Sequence, residues 1–317
     1  MQRNDYRGPF DPNLRLEDFS REALLRIAKE YQRAYLILQG SWHSTLRARF
    51  GDRATIEADS CQWMTSGPAV SHWLSRALGI EVGSVESYFK ALQMDPGFPL
   101  ELFDVEWELI DENHGFITCK RCTALDAFEA EGKGYEVIMC HEEEPPTFLK
   151  TGLYHHPDLE MKPVKLPPRK SGDEIACKWE CRLKPGAERR DAGSIAEASR
   201  RIRERTRTSG ASHPGTSGDV QDGWSSARVR EFWTFLPEDA RAVLRFLATR
   251  ASDTPKEDVL AHLGIPIEEL SYRLGHMYLA MHECEAPPAT PPVRLLTSPW
   301  RYAMDTAFAK AVREGAL

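Results

Sequence analysis

The stretch SGASHPGTSGDVQDG, residues 209–223, constrains this chain most. Small polar residues, Gly and Pro dominate it, and such a segment cannot bury enough apolar surface to order itself. It is preceded by SIAEASRRIRERTRT, with Arg200, Arg201, Arg203, Arg205 and Arg207 against Glu197 and Glu204. Residues 185–223 therefore read as a linker, Arg-rich and then Gly/Ser-rich. A chain of 317 residues with 41% hydrophobic residues has length enough for a core on each side. The expected plan is a tail over 1–14, an α+β domain over 15–184, the linker, and a mainly α domain over 224–317.

In the first part, Leu24, Leu25, Ile27, Ala28, Tyr31, Tyr35 and Leu38 keep helical spacing after a cap at Asp18 or Ser20. Further helices are expected over 42–50, ending at Gly51, and over 53–63, 69–78 and 85–92. The period then changes. Val105, Trp107 and Leu109 alternate with Asp104, Glu106 and Glu108, which predicts a half-buried strand with its carboxylates in solvent. A turn at 111–115 returns the chain through 116–119. Helices follow over 123–131 and 136–154, the second interrupted or restarted at Pro145-Pro146. Strands over 162–166 and 174–183 complete a small, mostly antiparallel sheet. On the last, Ile175, Cys177, Trp179, Cys181 and Leu183 share a face.

From Trp224 on, the pattern is a helix over 237–250, Thr254-Pro255 opening a short helix, a turn at Gly264-Ile265-Pro266, and a longer helix over 267–282. That is a helix-turn-helix rhythm. With a strand pair near 300–304 and a closing helix over 305–314, the part reads as winged-helix-like. The chain carries a net charge of -7, and residues 224–317 hold 11 Lys/Arg against 12 Asp/Glu. The longer helix offers Arg273 as its basic side chain, with Tyr272, His276 and Tyr278. Specific DNA binders lean on many phosphate contacts, so a DNA partner would draw on the Arg-rich linker.

No apolar run flanked by basic residues opens the chain, and none approaches the roughly 18 residues of a membrane span. The expectation is a cytoplasmic protein with no membrane partner. The seven Cys are an odd number, which suits a reducing compartment where clustered thiols serve as metal ligands or buried apolar groups. There is no P-loop, no Rossmann glycine signature, no G-x-S-x-G elbow and no H-E-x-x-H.

The chemistry concentrates between His114 and Cys181. Cys119 and Cys122 form a C-x-x-C pair, Cys140-His141 follows, and Cys177 lies on the last strand. Four soft ligands converging at about 2.3 Å would hold zinc or iron. Cys119, Cys122, Cys140, Cys177 and His141 are the candidate metal ligands. The competing reading is a buried apolar role, strongest for Cys181 beside Trp179. Glu142-Glu143-Glu144 reads as an exposed acidic turn. His155-His156 closes a helix, where a cation suits the dipole.

The segments CTALDAFEAEGKGYEVIMCHEEEPPTF and VKLPPRKSGDEIACKWECRL, with FGDRATIEADSCQW and ALGIEVGSVESYFKALQMDPGF before them, resemble a family of bacterial cytosolic proteins of unassigned activity. The closing G-D-x-x-x-C-x-W pattern, Gly172 to Trp179, is similar to the ends of L-2-amino-thiazoline-4-carboxylate hydrolase-like and 4-vinyl-reductase-like domains. The resemblance covers about residues 15–184. It implies an α+β small-molecule-binding domain in which Cys122, Cys140 and Cys177 fall on motif positions and Cys119 is an addition. The C-terminal part resembles winged-helix-like domains of actinobacterial proteins.

Three functions fit these features. One is a metal-binding small-molecule sensor with a helix-turn-helix-like output domain. Another is a metal-dependent hydrolase or related small-molecule enzyme. The third is a structural zinc scaffold for protein partners.

Overall fold

Ser20 opens the first helical run, α1 (Arg21–Leu78), by accepting the Ala23 N–H at 3.2 Å. The structure, a computed structural model, describes residues 2–99, 102–187, 223–250, 253–284, 291–297 and 299–315. The run folds at Gly51, whose φ of 80° and ψ of 171° suit a residue without Cβ. There the chain doubles back. Gln39 and His43 on the first arm consequently reach Asp59 on the second, and Tyr35 packs 6.4 Å from Trp63. The separate helices expected over 42–50, 53–63 and 69–78 are one run with a single reversal, and Pro68 lies buried inside it. The tail is tied down near its start: Arg3 pairs with Phe19, with Arg3 N donating to Asp18 O at 2.7 Å.

α2 (Val85–Leu92) starts on a reciprocal Ser84–Ser87 cap. The chain then forms β1 (Phe103–Asp111), β2 (His114–Cys122), α3 (Thr123–Glu131), α4 (Tyr135–Ile138), a π-helical turn (Met139–Glu143) and α5 (Glu144–His155), followed by β3 (Leu159–Lys165) and β4 (Cys177–Leu183). Glu106 and Glu108 of β1 face solvent, as the alternation requires. Pro145 and Pro146 restart the helix as the opening residues of α5, where the first helical turn has no use for their missing N–H groups. The four strands form an antiparallel sheet in the order β1-β2-β4-β3, with Ile117 opposite Trp179 and Cys119 opposite Cys177. α5 lies between α1 and β3. Tyr88, Ile117, Met161, Trp179 and Cys181 fill the core, which accounts for Cys181 as an apolar residue.

The second part contains α6 (Ser226–Thr234), α7 (Glu238–Ala248), β5 (Thr254–Pro255), α8 (Lys256–Leu263), α9 (Ile267–Glu283), β6 (Val293–Thr297), β7 (Trp300–Met304) and α10 (Thr306–Arg313). Its strands make a second antiparallel sheet in the order β5-β7-β6. Phe232, Val243, Leu244, Leu270 and Phe308 form its centre. The chain is thus a mixed α+β structure with two small antiparallel sheets. The Arg-rich and Gly/Ser-rich linker lies, but for its ends, outside the described residues.

α9 packs on α5, β3 and the π-helical turn, so buried apolar side chains run without a break from one part to the other. Gly275 permits this approach. A Cβ there would stand 3.1 Å from Pro145 Cβ and 3.3 Å from the Pro146 ring. No helix among the described residues is long and apolar enough to cross a membrane.

Candidate functional site

A cavity of about 480 Å³ lies between the two arms of α1, the β2–β4 sheet face and the segment from α3 to α5. Its walls are largely apolar and aromatic: Trp63, Tyr88, Phe98, Phe103, Phe148 and Trp179. The reversal at Gly51 is what brings the α1 arms together as one wall. The polar residues on the lining are one-sided. Asp59, Asp95, Glu143 and Glu144 contribute carboxyls, while among the described residues no Lys or Arg lines the cavity and His43 is its one basic residue.

Asp59 is the hub of the acidic wall. It accepts from Gln39 Nε2 at 2.6 Å and pairs with His43 Nδ1 at 2.8 Å. His43 Nε2 lies 2.9 Å from the Tyr135 hydroxyl. The network sets the tautomer: Nδ1–H donates to the carboxylate, and Nε2 accepts from Tyr135. Arg47 stacks over the Tyr135 ring at 3.6 Å and is itself paired with Glu131 and Asp52.

Glu143 is 2% exposed. Burial, and then the neighbouring charges of Asp59 and Glu144, push its pKa well above the ordinary carboxyl range. Glu143 is therefore held in its neutral, protonated form. Glu143 Oε2 has no partner among the described residues, and neither has the Trp179 Nε1–H on the sheet wall. Burial and then the charge of Asp59 raise Glu144 to about 7. Burial raises Asp95 to about 6 against the Gly97 N–H that donates to it at 2.7 Å.

The structure brings Cys119, Cys122, Cys140 and Cys177 to this same cavity. Cys119 stands opposite Cys177 across the β2–β4 pairing, both as free thiols, and its Sγ donates to the Arg121 carbonyl at 3.0 Å. Cys122 is no knuckle residue; it ends β2 and caps α3, accepting the Leu125 N–H at 3.4 Å. Burial raises all three of Cys119, Cys122 and Cys140, with Cys122 reaching about 12. For Cys119 the neighbouring Cys177 thiol outweighs burial. The thiols are thus neutral. Among the described residues, no three His, Cys, Asp or Glu side chains are gathered as a metal-holding set. The donors share a wall without converging on a point, so this arrangement does not fit a resident zinc or iron ion.

His141 stands apart from the thiols. Its Nδ1 lies 2.6 Å from Ser271 Oγ on α9 and its Nε2 2.6 Å from the Pro167 carbonyl. Both ring nitrogens are engaged, and burial lowers its pKa to about 4. It joins the two parts of the chain and has no free nitrogen for a metal. Glu142-Glu143-Glu144 is not an exposed acidic turn. Glu142 and Glu143 are buried, Glu142 toward α9 and Glu143 toward the cavity. His155 is fully buried, and burial lowers its pKa to about 3, so it carries no charge toward a helix dipole.

Sequence reasoning missed His43, Asp59, Asp95, Glu143 and Glu144 as a set. Asp59 and His43 are far apart on a helical run and meet through the reversal alone. A signal did exist for the glutamates: they sit between Val137-Ile138-Met139 and Phe148-Leu149, too apolar a stretch for a surface turn. Comparison of this chain with protein-family models, curated proteins and solved structures finds no match.

Proposed function

We propose that the chain is a small-molecule sensor: the cavity takes an organic ligand, and the C-terminal part responds to it. The observation that carries this reading is the π-helical turn Met139–Glu143. Met139, Cys140 and Glu143 line the cavity, while His141 and Glu142 bond to the C-terminal part. π-Helical turns often mark functional positions, since the extra residue per turn splits neighbouring side chains between two surfaces. A ligand pressing on Cys140 or Glu143 acts on the same backbone that holds His141 and Glu142.

The C-terminal part supports a winged-helix-like output. Its order is helix α7, strand β5, helix α8, helix α9 and a strand pair β6–β7 that adds to β5. In such a domain α9 would be the helix that enters a DNA groove. Here most of its residues are buried against α5 and β3. In the proposed mechanism the ligand governs whether α9 is held or released, and the linker arginines supply phosphate contacts once it is free. A cavity of this size argues against a closed zinc scaffold. Zinc or iron on the thiol wall is supported less well than an organic ligand. About one ion per reduced chain, lost in Cys122→Ser, Cys140→Ser and Cys177→Ser, would reverse that preference.

The test is a thermal-shift screen of small organic molecules on the wild type and on Ala176→Leu, which fills part of the cavity. Molecules that stabilise the wild type and not the filled variant support the reading. Equal shifts in both would contradict it.

One observation favours a second reading, a small-molecule enzyme. Glu144 titrates near neutrality inside the cavity, as a general acid or base should. The resemblance to amino-thiazoline-carboxylate hydrolase-like domains points the same way. Among the described residues the lining has no Lys or Arg to meet a carboxylate substrate, which counts against that particular substrate. Turnover by the wild type and not by Glu144→Gln would favour the enzyme.

A further inference from the structure

We infer that the ligand of the cavity is an organic cation, an amine with an apolar body and a hydrogen-bond acceptor, with its ammonium seated at Glu143. This rests on the reading of the cavity as a ligand site and goes on to name the ligand's chemistry.

Three independent features lead to it. The first is the sign of the lining. Among the described residues four carboxyls line the cavity with no Lys or Arg, and the one base, His43, is already bonded to Asp59 and Tyr135. Among the described residues a carboxylate or phosphate ligand would meet no free cation there, whereas an ammonium would displace the proton that burial keeps on Glu143. The second is the pair of unmet polar atoms. Glu143 Oε2 and Trp179 Nε1 are buried, belong to two residues that line the cavity, and bond to nothing among the described residues. A buried polar group without a partner is costly. An ammonium donates to the first, and an ether, hydroxyl or carbonyl oxygen accepts from the second. The third is the wall itself. Trp63, Tyr88, Phe98, Phe148 and Trp179 give an apolar body its contacts and offer ring faces to a cation.

Charge-assisted hydrogen bonds in a dry site are the strong ones. The same groups would gain little from a neutral ligand of equal shape.

The experiment uses the full chain and two matched probes, para-methoxyphenethylamine and its neutral isostere para-methoxyphenethyl alcohol. Binding is read by the fluorescence of Trp63 and Trp179 and by calorimetry. The amine is expected to bind about ten-fold or more tightly than the alcohol, the span of one charged hydrogen bond. In Glu143→Gln, which keeps the shape of a protonated Glu143, the preference falls to about two-fold or less. Trp179→Phe weakens both probes alike. Equal affinity of the two probes for the wild type would overturn the cation inference and leave the ligand site standing. Binding of neither probe would overturn both.

Discussion

The Tyr278 hydroxyl of α9 donates to Glu142 Oε2 at 2.6 Å across the seam between the two parts of the chain. The Leu295 N–H reaches Glu142 Oε1 at 2.7 Å, and the Arg53 guanidinium pairs with both carboxylate oxygens. Arg53 also donates to the Leu295 carbonyl at 2.9 Å. One buried carboxylate therefore ties α1, the π-helical turn, α9 and β6 together. Next to it in sequence, Glu143 faces the cavity.

Tyr278→Phe removes one donor from this carboxylate and leaves it buried. The expected loss is about 1–3 kcal/mol of stability, read by urea denaturation. Hydrogen exchange should quicken in α9 and β6 more than in the β1–β2 hairpin. A uniform change along the chain would mean that Glu142 has no special part in holding the seam.

Gly275→Ala separates packing from helix propensity. Propensity alone would stabilise α9 by about 1 kcal/mol. The close Pro145 and Pro146 rings cannot rotate away, so overpacking should win and destabilise the chain by about 1–3 kcal/mol. A stabilised variant would show that α9 does not sit tightly on α5 in solution.

His155 predicts a pH dependence. Its Nδ1–H donates to Ser87 Oγ at 3.0 Å, since the Ser87 hydroxyl is itself spent on the Ser84 carbonyl. Burial lowers its pKa to about 3, against about 6.5 in an unfolded chain. Between those values the unfolded chain binds a proton that the folded chain does not, so the contribution of His155 is lost as pH falls through that window. Relative to His155→Asn, the wild type should lose about 2 kcal/mol between about pH 7.5 and 5. Parallel curves for the two proteins would show that His155 is not held neutral.

Local rules made much of the fold legible. Alternation at Val105 and Trp107, though not at the exposed Leu109, and on the Cys177–Leu183 strand, the capping at Ser20 and the helix at 123–131 all depend on near neighbours, and these features stand in the structure. That Cys119, Cys122, Cys140 and Cys177 come to one wall was legible too. What local rules could not supply was the partner of each polar residue. His141 looked like a ligand because Cys140 precedes it, yet Ser271 and Pro167 claim its nitrogens. Glu142–Glu144 looked solvated because three charges in a row usually are. The buried Arg53–Glu142 and Asp59–Glu143 contacts come from residues more than eighty positions away.

The central claim is that the cavity and α9 are coupled through the π-helical turn. The direct measurement is hydrogen exchange of the full chain with and without saturating para-methoxyphenethylamine. The account predicts protection at the cavity walls in 103–122 and 177–183, together with a change of about five-fold or more in the exchange of residues 267–283. In Glu143→Gln both effects should fade together. Protection confined to the cavity walls, with α9 unchanged, would contradict the coupling, and no protection anywhere would contradict the ligand site itself.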